Sequence, residues 1–459
     1  MTYVLGIDSS TQSCKALLVD AHTGRVVDEG RSTHPSGTQV DPQAWIKAME
    51  HATAGLLEHA DAVSVAGQQH GMVALDKAGE VVRPAMLWND TSSAPQAEAL
   101  VQELGGPAES ASLTGSVLVA SFTGTKLRWL RDNEPDNAAR VASVALPHDY
   151  LTWHLGGRKE LTTDHGDASG TGYYSTWQRK FVPDLVERYL GHAVTLPRIA
   201  APNEIVGTTA TGAAIAAGTG DNMAAALGLN LQPGDVCVSI GTSGVASAVS
   251  DRSVHDPSGL VTGFADATGN FLPLACTLNG AKVLDFAAML LGVDHSGLSE
   301  LALAGAPGAH GVTLLPYFDG ERTPNRPSAT GLFSGIRTST TREDIARAVI
   351  EGLLCSMLDA IEAVENAMES RARRVLMIGG GARSEAMRVI APQIFGVDVA
   401  VPDPSEYVAL GAARQAAWAL SGADTPPQWV TAGTTTYTGD YDAETVARYK
   451  KIRDLTEEF

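Results

Sequence analysis

Apolar residues recur along this chain in two rhythms, and the alternation between them predicts an α/β architecture. Short apolar runs at Tyr3 to Ile7, Lys15 to Val19, Ala62 to Ala66 and Val375 to Ile378 have the length and composition of strands. Apolar residues three and four positions apart predict helices over Pro42 to Leu57, Gly124 to Arg131 and, most clearly, Glu343 to Met368. In the last of these Ile345, Val349, Leu353, Met357, Ile361, Val364 and Met368 fall on one stripe. The Ala-rich segment Tyr407 to Leu420 opens after Pro402 and Pro404 and predicts a further helix, with Gly411 permitting close packing.

One local design occurs twice. The first two strands are joined by the polar turn DSSTQS, and Asp235 to Val249 repeats the plan as VCVSI, GTSG and VASAV. Two strand–turn–strand units about half a chain apart predict two lobes of related architecture. Turn chemistry in LNLQPG puts the boundary near residues 229–235, dividing the chain into 1–230 and 231–459. The length of 459 residues supports this, because single hydrophobic cores stop growing well below it.

Charge narrows the partners. Lys and Arg total 33 against 52 for Asp and Glu, a net charge of −19, which repels nucleic-acid backbones and anionic lipid. An anionic ligand must therefore be held locally, by backbone N–H groups, a metal ion and a few cations. Cys14, Cys237, Cys276 and Cys355 are scattered without a C-x-x-C pair, so neither a disulfide framework nor a zinc site is expected and a cytoplasmic location fits. No signal peptide is visible and no apolar run reaches the roughly 18 residues of a membrane span.

Three turns could carry chemistry. GIDSSTQSCK, residues 6–15, brings Asp8, Ser9, Ser10, Thr11, Gln12 and Ser13 together, the donors and carboxylate that a metal-bound phosphate chain requires. Asp and Ser are equally at home in an ordinary hairpin turn. SIGTSG, residues 239–244, offers close backbone approach and the hydroxyls of Thr242 and Ser243, or again a plain turn. IGGGARS, residues 378–384, is a strand followed by glycines and a helix start, able to hold adenine against bare backbone or phosphate at a helix N-terminus. Neither a P-loop nor a dinucleotide-binding pattern is present.

In order and spacing the three turns resemble the phosphate-1, phosphate-2 and adenosine elements of actin-like sugar kinases. The chain is similar to the carbohydrate kinase family named for its F-G-G-Y signature. The resemblance is carried by AGQQHGMVALD (66–76), PAMLWND (84–90), ASFTGTKLRWLRDNEP (120–135), LPHDYL (146–151), TDHGDASGT (163–171), AAGTGDNMAAALG (216–228) and DGERTPNRP (319–327), besides those turns, and spans almost the whole chain. It implies two actin-like, ribonuclease H-like lobes around a central interlobe cleft, and MgATP-dependent phosphorylation of a small ketose, D-xylulose foremost.

Residue by residue, the resemblance implies that Asp221 is the general base on the sugar hydroxyl, a role compatible with capping the helix that follows it. Asp8 would lie near Mg²⁺ and the phosphates as the metal-side carboxylate. Thr11, Gln12, Ser13, Gly241 and Thr242 would line the phosphates, Gly380 and Gly381 would border adenine, and Lys15 stands either near the phosphates or in solvent. Gln69, His70 and Asn222 would contact the sugar with Asp221, while Trp88 and Asp90 shape the pocket wall. Glycerol-phosphorylating members carry an Arg-Glu pair where Gln69 and His70 stand, which favours a pentulose. The expected partners are therefore a ketose and MgATP, with a homodimer compatible and no nucleic acid or membrane.

Three departures limit the match, and the last of them touches the sugar site. Ser10 stands where Gly is common, Thr91 and Ser92 follow WND where an Arg is often near, and Gln69 takes a position usually held by Met. Ribulose, L-xylulose or a sugar alcohol are thus alternative acceptors, and a nucleotide-driven switch without a sugar is the alternative outside enzymes.

Overall fold

The computed structural model of the protein describes residues 1–429 and 433–457. It forms two compact units. The first comprises Met1–Asn230, Asp251–Leu272 and Glu406–Val430, and the second Leu231–Ser250, Pro273–Ser405 and Thr431–Phe459. The division after residue 230 coincides with one of several points where the chain passes between the units, and residues 251–272 and 406–430 group with the first unit.

Packing explains the return of the later segment. The helix Tyr407–Ser421 lays Ala409, Ala413 and Ala416 against Val4, Leu17, Val19 and Ala62 of the first unit's sheet. Small residues on both surfaces let the backbones meet: a Cβ on Gly6 would lie 1.9 Å from the Ala409 carbonyl oxygen.

The first unit's sheet contains β1 (Tyr3–Ser9), β2 (Ser13–Asp20), β3 (Val26–Thr33), β4 (Ala62–Gly67), β5 (Ile205–Thr208), β6 (Ala214–Ala216) and β7 (Thr219–Gly220). Their order is β5-β6-β4-β1-β2-β3, with β7 also paired to β4. β1 runs antiparallel to β2 and parallel to β4. Alternation sends Val4 to the returning helix, whereas Leu5 and Ile7 face Trp45, Ile46 and Met49 of the helix Pro42–Thr53. Both faces of β1 are covered, so it reads as a continuous apolar run.

The first two strands are longer than their apolar cores suggest, which places Asp8 on β1 rather than in the turn. The helix from Pro42 is shorter than expected and stops at Thr53, before Gly55 at φ +76°.

The second unit's sheet contains β8 (Asp235–Ile240), β9 (Gly244–Ala248), β10 (Phe271–Thr277), β11 (Arg374–Ile378), β12 (Val399–Pro402) and β13 (Thr434–Tyr437). They lie in the order β10-β9-β8-β11-β12-β13. β8 is antiparallel to β9 and parallel to β11, the scheme of β1 with β2 and β4. The repeated hairpin thus extends to a third strand in each unit.

The long helix spans Arg342–Met368 and starts with a capping box, in which Thr341 Oγ1 accepts from the Asp344 N–H at 3.3 Å and Asp344 Oδ2 accepts from the Thr341 N–H at 3.0 Å. Val349, Leu353, Met357, Ile361 and Val364 of its stripe are buried. Among the described residues no helix is long and apolar enough to cross a membrane.

Candidate active site

Strand register gathers the first unit's motifs. Asp8 pairs with Ala66 and Ser9 with Gly67, while Thr219 pairs with the same Ala66 and Gly220 with the same Gly67. The turn after β1, the GQQHG residues after Gly67 of β4 and Asp221 and Asn222 after β7 consequently leave parallel strands side by side at their carboxyl ends, where ligands bind in open α/β sheets.

Asp221 is the first residue of the helix Asp221–Gly228, and its Oδ1 accepts the Asn222 backbone N–H at 2.8 Å. Asn222 Nδ2 donates to Gln69 Oε1 at 2.8 Å and lies 3.3 Å from Asp221 Oδ1. The three side chains form one polar array. Gln69 is buried, and its Nε2 has no protein acceptor, which leaves a desolvated donor that a ligand oxygen would satisfy. Burial, then the charges of Asp8 and Asp167, raise the Asp221 carboxyl to about 7. A carboxylate with that affinity for protons is suited to general-base work near neutrality.

His70 adopts φ +67°, uncommon for a residue with a side chain. Its Nδ1 lies 2.7 Å from the Gly170 carbonyl oxygen, and its ring stands 5.1 Å from Phe122 and 5.6 Å from Phe264. A carbonyl only accepts, so this contact fixes the proton on Nδ1.

On β1, burial raises Asp8 to about 6 against the pull of Ser10, whose hydroxyl donates to Asp8 Oδ1, and of Lys15. Lys15 Nζ lies 3.9 Å from Asp8 Oδ2 and 2.5 Å from Glu406 Oε2, so this lysine is ion-paired rather than solvated. Ser10 thus has a use that glycine could not supply. Thr11 Oγ1 accepts from Trp88 Nε1 at 2.9 Å and donates to Gln68 Oε1 at 3.5 Å, which joins the turn to the WND and GQQHG segments. Trp88 is half-exposed and not a core residue, whereas Asp90 is buried and accepts from Thr38, Gln39 and the Ser92 N–H. Gln12 is exposed, and Ser13 is buried at the start of β2.

The second unit gathers its own two motifs in the same way. Ser239 pairs with Ile378, so SIGTSG and IGGGARS leave adjacent parallel strands together. Gly379, at φ +90°, passes so close to β8 that a Cβ would stand 2.6 Å from the Ile240 carbonyl oxygen. Gly241 and Thr242 make the neighbouring turn, accepting from the N–H groups of Ala281 and Gly280. A cavity of about 600 Å³ opens here, walled by Gly380, Gly381, Ser384, Leu284, Ser296 and Glu300. Its size is that of a small-ligand site, and no atom lies within 4 Å of where a Gly380 Cβ would be, so bare backbone faces the space. Those features fit an adenosine.

Each unit therefore holds together the site residues that its own sequence motifs named. Sequence reasoning missed Gln68, Asp164, His148 and Asp167, all buried beside the array. The last three lie in TDHGDASGT and LPHDYL, stretches that carried the resemblance without a role attached.

Fold and site together define a two-domain α/β protein of the actin-like ATPase type that binds a nucleotide and a small polar acceptor. Profiles of the FGGY family of carbohydrate kinases match residues 3–229 for its N-terminal domain and 236–420 for its C-terminal domain, and the chain belongs to this family. Membership makes it a phosphotransferase with an alcohol acceptor.

A xylulose kinase of Streptomyces coelicolor is 48% identical over 436 residues, covering 92% of this chain and 89% of that protein. The crystal structure of xylulose kinase from Bifidobacterium adolescentis superposes with a TM-score of 0.93 at 45% identity, covering 98% of this chain and 99% of that one. Plasmodium falciparum glycerol kinase with ADP matches with a TM-score of 0.87 at 18% identity over 100% of this chain and 99% of that one, a likeness of fold.

Proposed function

We propose that this protein phosphorylates D-xylulose with MgATP to give D-xylulose 5-phosphate and ADP. The observation that carries the reading is the array of Asp221, Asn222 and Gln69 at the strand ends, with a base whose carboxyl sits near 7. Asp221 takes the proton of the acceptor hydroxyl as its oxygen bonds to the γ-phosphorus, and ADP departs with the electrons of the broken P–O bond. Asn222 and the unpaired Gln69 Nε2 orient the sugar oxygens, and Trp88 and His70 wall the pocket.

Asp8 would hold Mg²⁺ through water, and the bound ion neutralises charge on the transferring phosphoryl group. Thr11, Gln12 and Ser13 in the first unit and Gly241 and Thr242 in the second would each offer donors to phosphate oxygens, and Gly380 and Gly381 would border adenine in the second unit's cavity. The two most similar relatives reported above, each named a xylulose kinase, support the choice of sugar.

A coupled assay of ADP release across D-xylulose, L-xylulose, ribulose and sugar alcohols tests the acceptor, and the highest kcat/KM is expected for D-xylulose. A panel without sugar-dependent release would refute the reading. Asp221→Ala should lower kcat by about 100- to 10,000-fold, the usual share of a general base, with ATP binding retained by calorimetry.

A further inference from the structure

Behind the Asp221 array lies a cluster of fully buried ionisable side chains. His148, on the helix Pro147–Leu155, and Asp167, on the short helix His165–Ala168, are both fully buried, with His148 Nδ1 2.5 Å from Asp167 Oδ2. Asp149 places Oδ1 3.3 Å from His148 Nε2 on the other side of the ring, while its Oδ2 accepts the Leu146 N–H at 2.8 Å. The imidazole thus has a carboxylate on each side, hydrogen-bonded to Asp167 and within ion-pair distance of Asp149. The residue is also packed against the strand ends: a Cβ on Gly67 would fall 2.8 Å from the His148 backbone nitrogen, and one on Gly218 2.6 Å from the ring carbon Cδ2.

A third buried carboxylate ties the cluster to the base. Asp164 accepts from the N–H groups of Gly166 and Asp167 and from Thr219 Oγ1 at 2.6 Å, and Thr219 lies on β7, whose last residue precedes Asp221. Burial works against the His148 imidazolium, but Asp149 and Asp167 outweigh it and raise the ring to about 9. Burial raises Asp149 and Asp167 as well.

The elements around the Asp221 helix carry other charged groups. From β1 comes Asp8, itself faced by Lys15 and Glu406. From the short helix comes His165, bonded to the Tyr174 hydroxyl and held below its ordinary value by burial. The helix Tyr407–Ser421 contributes Arg414, which is spent on the Leu227 carbonyl at the far end of the Asp221 helix. Among these groups His148 is the cation in contact with Asp149 and Asp167, as Lys15 is with Asp8.

We propose that the His148 imidazolium, clamped by Asp149 and Asp167, is a positioning charge that offsets those carboxylates and keeps Asp221 available as the proton acceptor at neutral pH. This rests on the reading of Asp221 as the base. His148 Nδ1 meets Asp167 directly, without an ion between them.

The test is the pH profile of kcat/KM for the sugar. His148→Gln should move the acid limb to higher pH and Asp167→Asn to lower pH, each by about 1 unit, the size of shift a neighbouring charge produces. His148→Lys, which keeps the charge, should restore the limb toward the wild-type position. Lower plateaus with an unmoved limb in both neutral variants, or movement in the same direction, would overturn the proposal and leave a merely structural pair.

Should the variants fail to fold, the imidazole ¹⁵N spectrum of the wild-type protein decides: a doubly protonated histidine at pH 8 is expected, and its absence is fatal. Stoichiometric transition metal in the purified protein would also overturn it. Failure of the base reading itself shows separately, as activity retained in Asp221→Ala.

Discussion

Asp221 has a direct consequence for pH dependence. Its carboxyl is raised to about 7 by burial and by Asp8 and Asp167, so it is protonated below that pH and ionised above it. The kcat/KM for the sugar should therefore fall about tenfold per pH unit on the acid side of the limb and level off above it, and a profile flat from pH 5 to 9 would assign the base elsewhere. Thr11 makes a second residue-scale prediction. Thr11→Val removes both the acceptor of the Trp88 N–H and the donor to Gln68. A loss of about 1 kcal/mol, roughly fivefold in kcat/KM with little change in melting temperature, should follow in steady-state assays. Asp221, Asn222, Gln69 and His70 were singled out through the family resemblance that their short motifs carry, and the structure brings the first three together. His148 was not singled out, since its meaning comes from a contact with Asp167, nineteen positions along the chain on another helix, and from the absence of side chains at Gly67 and Gly218.

At the level of elements, glycine decides how closely the helices meet. Gly411 was expected to permit close packing, and a Cβ there would stand 1.8 Å from the Ala224 carbonyl oxygen; one on Gly228 would stand 2.1 Å from that of Tyr407. Helices Asp221–Gly228 and Tyr407–Ser421 thus touch backbone to backbone, and the first of them begins with Asp221. Gly411→Ala should cost about 3 kcal/mol, at the upper end of overpacking penalties, and should be visible as a lowered midpoint in denaturant unfolding. A midpoint equal to wild type would mean that the helices can separate freely. Strand and helix existence followed well from apolar rhythm. Boundaries did not, because they rest on local events such as the turn at Gly55 and on pairing partners: β1 continues through Asp8 and Ser9 since Ala66 and Gly67 are there to pair with them.

On the scale of the whole molecule, the two-part organisation was visible in the doubled hairpin, but the crossings were not. Nothing in the composition of residues 406–430 distinguishes a helix that packs on its own half from one that returns to β1. The segment 1–230 expressed alone should accordingly be insoluble or lack cooperative unfolding, since the face formed by Val4, Leu17, Val19 and Ala62 loses its cover. A soluble fragment with a sharp thermal transition would contradict this.

The same connectivity imposes an order on synthesis. When the ribosome has finished β1 to β7, the helix that seals their outer face has still to be translated, nearly two hundred residues later. Until then the nascent chain carries an open apolar surface, and a message cut short anywhere before residue 407 loses both halves of the enzyme rather than one.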